Sequence, residues 1–214
     1  MQPQGQGLKH LGRWTMSIDR HLGLPVGYES YLRVFNPWFG DPGAVSATWS
    51  EIAGAQGVNQ LELAAPNVPT SVLNWRAGAW LNGRRYEYPD EGLPSVTVER
   101  AIRDVLSATV QTEPVIAAYW KGRRGNVPRS QTSWHDVEVG GESYSVAEVS
   151  LDKVAAAYSV SAVPSYPEWI IGADYSWSLN CDKDSPWTVI GGCKRLVNKM
   201  HSQSEVETFL IDIP

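Results

Sequence analysis

Residues 95–120 constrain the fold more than any other part of the chain. Ser95 follows Pro94, and Val98, Ala101, Ile102, Val105 and Leu106 then fall at i, i+3, i+4, i+7 and i+8. That spacing places all five on one face of an α-helix of about three turns, with Ser95 as its cap. Thr112-Glu113-Pro114 breaks the helix, and Val115–Trp120 is a nearly continuous apolar run of strand length. A strand without polar alternation is buried on both faces, so the chain must place a sheet in its interior with this helix packed against it.

The flanking segments fit the same plan. Tyr28–Phe35 predicts a strand that ends at the Asn36-Pro37 turn. Trp49, Ile52 and Ala53 predict a short helix over 47–54, capped by Ser46 or Thr48 and stopping before Gly57. Residues 58–94 are hard to read, with Pro66, Pro69, Pro89 and Pro94, and only Asn82-Gly83 between Trp80 and Tyr86 hints at a hairpin. Asp136–Val139 and Ser143–Val149 alternate around Gly140-Gly141 as a second hairpin, and Ser150 caps a helix carrying Leu151, Val154, Ala155 and Tyr158. Tyr175–Cys181 and Trp187–Ile190 read as paired strands around the loop 182–186. After Gly191-Gly192 a helix turns Leu196, Val197 and Met200 inward, and Val206–Ile213 is a closing strand. The expected fold is α+β, a mixed or mostly antiparallel sheet with about three to four helices packed on it. Residues 1–12, rich in Gly, Gln and Pro, predict a flexible terminus, and residues 13–214 a single domain.

Composition narrows function mainly by exclusion. At 43% hydrophobic and 19% charged the chain can build a core. A net charge of -5 disfavours phosphate backbones and anionic lipid, so neither nucleic acid nor membrane is an expected partner. The two basic patches, Arg84-Arg85 and Lys121 with Arg123-Arg124, read as solvated hairpin tips. The first twenty residues hold no apolar core of a secretory signal, and no stretch approaches a membrane span. With only Cys181 and Cys193, whose pairing the sequence leaves open, a reduced cytoplasmic setting is the simplest expectation. His10, His21, His135 and His201 form no zinc motif, and no G-x-S-x-G elbow occurs.

An ordered set of short motifs runs from about residue 23 to 211. It comprises Gly23-Leu24-Pro25 with Tyr28, Tyr31, Arg33 and Val34 ahead of Asn36-Pro37, and Trp49-Ser50-Glu51-Ile52-Ala53. Further on come Thr109 to Glu113-Pro114 leading into Ala118-Tyr119-Trp120-Lys121-Gly122, then Asp182-Lys183-Asp184, then Thr188-Val189-Ile190-Gly191-Gly192. In these the chain resembles an uncharacterised family of actinobacterial proteins, some carried by actinobacterial phages. It departs from that pattern at Asn36, where His is commoner, and at Cys193, where Ser is commoner. The resemblance implies a shared fold and an actinobacterial setting, and it carries no mechanism.

Three functional classes follow. The leading one is a non-enzymatic protein-binding module, immunity-like or acting between phage and host, because the chain is acidic, holds ten tryptophans and shows no catalytic signature. Its candidate binding residues are Trp177, Asp182, Asp184, Trp187, Gly191 and Gly192. The second is a small-ligand or metal-binding enzyme, in which Asp182 and Asp184, with Glu168 and Asp174 upstream, hold a hard cation. The competing reading of that loop is aspartates capping their own backbone. Gly191-Gly192 beside Lys194 and Arg195 suggests either an anion site or a strand-to-helix turn that needs glycine conformations. The third class is a self-associating structural protein, with a homodimer as its product. No cofactor is expected, and the protein partner is of unknown identity.

Overall fold

In the computed structural model the described residues are 23–25, 27–40, 45–65, 74–110, 114–122, 134–139, 141–154 and 166–212. The expected flexible terminus at 1–12 lies outside them, as do Ala155 and Tyr158.

The strands in chain order are β1 (Ser30–Phe35), β2 (Phe39–Gly40), β3 (Ala79–Leu81), β4 (Arg84–Glu87), β5 (Val115–Trp120), β6 (His135–Val139), β7 (Glu142–Val149), β8 (Trp169–Gly172), β9 (Ser178–Asn180), β10 (Trp187–Gly192) and β11 (Glu207–Ile211). The helices are α1 (Trp49–Ala55), α2 (Leu61–Ala64), α3 (Val96–Thr109) and α4 (Lys194–His201), with a 3₁₀ turn at Asn74–Ala77 and helical backbone at 151–154. Eight strands form one antiparallel sheet in the order β11-β1-β10-β9-β8-β5-β7-β6, and β2-β4-β3 form a second, smaller one. The protein is α+β with mostly antiparallel sheets.

Both faces of the large sheet are covered, which explains the unbroken apolar runs. On one face Leu32, Val34, Val115, Ala117, Ile170 and Ile190 meet the stripes of α3 and α4. The α3 stripe is the one read from the sequence, and Ser95 Oγ accepts from Val98 N at 3.2 Å as its cap. On the other face Tyr31, Phe35, Ile116, Trp169, Ile171 and Val189 form one core cluster with residues of α1, α2 and the small sheet. Aromatic rings seal this layer: Trp49 sits 4.9 Å from Phe35 and 5.2 Å from Trp38 between ring centroids. α1 starts at Trp49, with Thr48 and Glu51 forming a reciprocal capping box.

Several expectations are corrected in detail. The strand expected over 175–181 is only Ser178–Asn180, because Tyr175 adopts a left-handed φ of 59° in the turn that follows β8. β8 itself, four buried residues, and the short β2 and α2 were not anticipated. The Asn82-Gly83 hint is a true hairpin: both residues have positive φ, 51° and 75°, as a two-residue primed turn requires. Gly191 and Gly192 are not a turn. They are the last residues of β10, neither with positive φ, and glycine is needed for space. A Cβ on Gly191 would penetrate the Tyr28 ring and lie 3.0 Å from Tyr31 Cε1, and one on Gly192 would lie 2.9 Å from Leu196 Cδ2. By contrast a Cβ on Gly54, in α1, meets nothing within 4 Å.

Two substitutions with opposite signs check this packing. Gly191→Ala overpacks the sheet face and should lower unfolding free energy by about 1–3 kcal/mol. Gly54→Ala should raise it by about 0.5–1 kcal/mol through helix propensity. Urea denaturation of both variants measures the pair.

Candidate functional site

The six residues singled out from the sequence do not form one surface. Trp177 is fully buried in the layer under α3 and α4, whereas Trp187 is 9% exposed and buried on the opposite face, beside Phe35. Neither tryptophan can meet a partner directly, because the residue count signals aromatic area and not its exposure. Gly191 and Gly192 are buried in β10, and the helix N-terminus beyond them already has a carboxylate: Glu29 Oε2 accepts from Lys194 N at 2.9 Å. Cys193, exposed at the start of α4, lines an open cleft of about 410 Å³ with Tyr28, Glu29 and Tyr175. Cys181 is buried beside Thr188, and no disulfide joins the two cysteines.

Asp182 and Asp184 occupy the loop between β9 and β10, and the loop is self-capped. Asp182 Oδ1 accepts from Asp184 N at 2.7 Å, and Asp182 O accepts from Ser185 N at 3.0 Å. This is the backbone-capping arrangement of an aspartate turn. Among the described residues, no group of three or more His, Cys, Asp or Glu side chains comes together in a way that could hold a metal ion. Asp174 is elsewhere, accepting from Ser176 N and Oγ in the turn after β8.

Glu168, in contrast, belongs with this loop. It enters β8 with 7% exposure, and its Oε1 accepts from Tyr144 Oη of β7 at 3.0 Å. Its Oε2 is buried and has no hydrogen-bond partner among the described residues. The Tyr144 ring lies 4.6 Å from that of Trp169. Alongside, the Lys183 ammonium donates to Glu142 Oε1 and Oε2 at 2.7 and 3.0 Å and sits 4.6 Å above the Trp120 ring. Burial, reinforced by the Asp182 charge, pushes the Glu168 carboxyl up to about 7, with Tyr144 and Lys183 pulling the other way. Burial likewise pushes the Tyr144 phenol well above its ordinary value. Chemically, the cluster holds one exchangeable proton near neutral pH among groups drawn from β5, β7, β8 and the 182–186 loop.

A second surface was missed from the sequence. In the small sheet Trp80 stands directly opposite Arg85, and Phe39 opposite Glu87. Alternation turns Ala79 and Tyr86 into the core and leaves Trp80 63% and Phe39 39% exposed. Arg84, Arg85 and Glu87 are exposed as well. Beside Phe39 a groove of about 240 Å³ is lined by Leu93, Pro94 and Val96, the last 70% exposed. The signal available was the alternation on either side of Asn82-Gly83, which sets Trp80 and Tyr86 on opposite faces of the hairpin.

The chain matches no family model, no curated protein and no solved structure. No helix among the described residues is long and apolar enough to cross a membrane.

The raised Glu168 carboxyl makes a signed prediction. Between its ordinary 4.5 and about 7 the folded protein keeps a proton that the unfolded chain releases. Stability from this group is therefore complete below that window and lost as pH rises through it. Glu168→Gln keeps an acceptor for Tyr144 and removes the charge. The variant should match wild type near pH 5 and exceed it by about 2–3 kcal/mol at pH 8, as measured by denaturation at both pH values.

Proposed function

We propose that the chain is a non-enzymatic protein-binding module whose docking face is the outer side of the small sheet. The observation that carries this is the pairing of exposed Trp80 with Arg85 on a hairpin fixed by a two-residue turn. Tryptophan and arginine dominate binding hot spots, and a rigid hairpin loses little entropy when it docks. Phe39 and the groove beside it extend the apolar part of the surface toward α3.

The partner we assign is a protein with an apolar anchor and an acidic group beside it. On this face Arg85 is positive beside Trp80 and Glu87 is negative opposite Phe39, with Arg84 at the adjoining tip, so an acidic group complements the Trp80–Arg85 end of the hairpin on a chain of net charge -5. The resemblance to actinobacterial and phage proteins supports looking for that partner in an actinobacterial host, in an immunity-like or phage–host role.

The test uses full-length protein as bait in an actinobacterial lysate, followed by titration of the recovered, purified partner. Trp80→Ala and Arg85→Glu should each weaken binding about 30- to 100-fold with unchanged circular dichroism. Retention of full affinity by both variants contradicts the docking face. A second copy of the chain as occupant would instead appear as a wild-type dimer in sedimentation that Trp80→Ala converts to monomer, and it would replace the assigned partner.

A further inference from the structure

The eight-stranded sheet ends in two edge strands, β6 and β11, and the hydrogen bonds beside them show which residues each edge presents. Asn36 N donates to Pro186 O at 3.0 Å, one step beyond the Phe35–Trp187 pair, so Leu32 and Val34 of β1 bond toward β10. In an antiparallel sheet the intervening residues bond the other way, pairing Phe35 with Glu207, Arg33 with Phe209 and Tyr31 with Ile211. Thr208 and Leu210 are therefore left with N–H and C=O turned outward. The same alternation, set by Lys121 N donating to Ser143 O at 3.0 Å, turns Asp136 and Glu138 outward on β6. Charged side chains on an edge guard against strand pairing, and β6 carries these two, both exposed. The outward residues of β11 are uncharged, and Leu210 is 42% exposed. Leu61, 75% exposed, stands on α2, which packs against β11.

We propose that β11 is a self-association edge, on which a second copy of the chain lays its own β11 antiparallel across a two-fold axis and joins the two large sheets into one. The strand is self-complementary in the register centred on Phe209. Thr208 of each copy then bonds Leu210 of the other through both backbone groups, Phe209 meets its mate in the close non-hydrogen-bonded pair, and Glu207 faces Ile211 and not another acid. Asp212, exposed just beyond the strand, falls opposite Val206 of the other copy. There it is flanked by Thr208, whose hydroxyl lies 2.8 Å from His201 Nδ1, and by Glu205, whose carboxylate is held by Arg100 at 3.2 Å. The acid of each copy thus lands beside basic side chains of the other, a charge match that selects a second copy as the occupant. The acidic β6 edge does not extend the sheet further, so association closes at a dimer. The contact uses none of the residues of the small-sheet docking face and stands apart from that reading.

Sedimentation velocity of the full-length protein over a wide range of concentration, with amide exchange followed residue by residue, tests it. Wild type should dimerise, with the Thr208 and Leu210 amides protected at high concentration while those of Asp136 and Glu138 exchange freely. Leu210→Lys places a guarding charge at an exposed position and should raise the dimer dissociation constant about a hundredfold with unchanged circular dichroism. Trp80→Ala should dimerise as wild type does, which separates this contact from the docking face. A monomeric wild type, association of Leu210→Lys as tight as wild type, or Thr208 and Leu210 amides that exchange as fast as those of Asp136 and Glu138 overturns the proposal. Dimerisation lost in Trp80→Ala and kept in Leu210→Lys overturns it as well, by moving the contact to the small sheet.

Discussion

A buried guanidinium ties the two halves of this protein together. Arg33 projects from β1 with 1% exposure, donates through Nη1 to Leu63 O at 2.5 Å and Ala65 O at 3.0 Å, and lies 5.0 Å from the centre of the Trp187 ring. Burial lowers its pKa to about 10, which still leaves it charged at neutral pH. A buried charge is tolerable only when its donors find acceptors, so the carbonyls at the end of α2 are held where β1 puts them. The covering layer is thereby fixed to the sheet by a directional contact as well as by apolar area.

Two more polar side chains complete the attachment. Asn36, 2% exposed, donates to Leu93 O at 2.7 Å, accepts from Ser95 N at 2.8 Å, and receives the Trp49 indole on its carbonyl. Glu207 of β11 accepts from Trp49 N and Ser50 N, so the N-terminus of α1 rests on the edge strand. The sheet face under α3 and α4 is sealed mainly by aliphatic side chains, with Tyr119, Tyr166 and Trp177 among them, whereas this face is sealed by aromatic rings and polar pins. With the layer secured from within, its outer side is left to display Trp80. Loop 182–186 joins the layer to the sheet end: Arg76 Nη2 donates to Asp184 O at 3.2 Å and Gly92 N to Ser185 O at 2.8 Å. The loop is therefore tied both to the covering layer and, through Lys183, to the carboxylate cluster.

Much of the fold was legible because long periodic segments resist misreading. The α3 stripe, the β5 run, the hairpin of β6 and β7, and α4 all carry enough repeats to fix both type and face. β8 escaped because four residues after Pro167 give no period, and its identity comes from pairing with β5 and β9. The site was less legible for a different reason. Residue type alone makes Trp177 and Trp187 candidates for binding, yet the direction each faces depends on the register of β9 and β10. The sequence shows Glu168 as an acid upstream of the loop, but Tyr144 lies 24 residues earlier and reaches it only through the antiparallel pairing of β7, β5 and β8. Gly191-Gly192 resembled a turn because glycine pairs usually relieve backbone strain, whereas these make room for Tyr28, Tyr31 and Leu196.

The central claim is that the layer displaying Trp80 is held to the sheet through Arg33. Native-state hydrogen exchange on Arg33→Met, which keeps length and apolar bulk while removing the donors, measures it directly. Amides of 49–65 and 79–87 should exchange about tenfold to a hundredfold faster than in wild type, with those of β5, β8 and α3 little changed. Equal acceleration throughout the sheet and α3, or no acceleration in 49–65 and 79–87, would contradict the account.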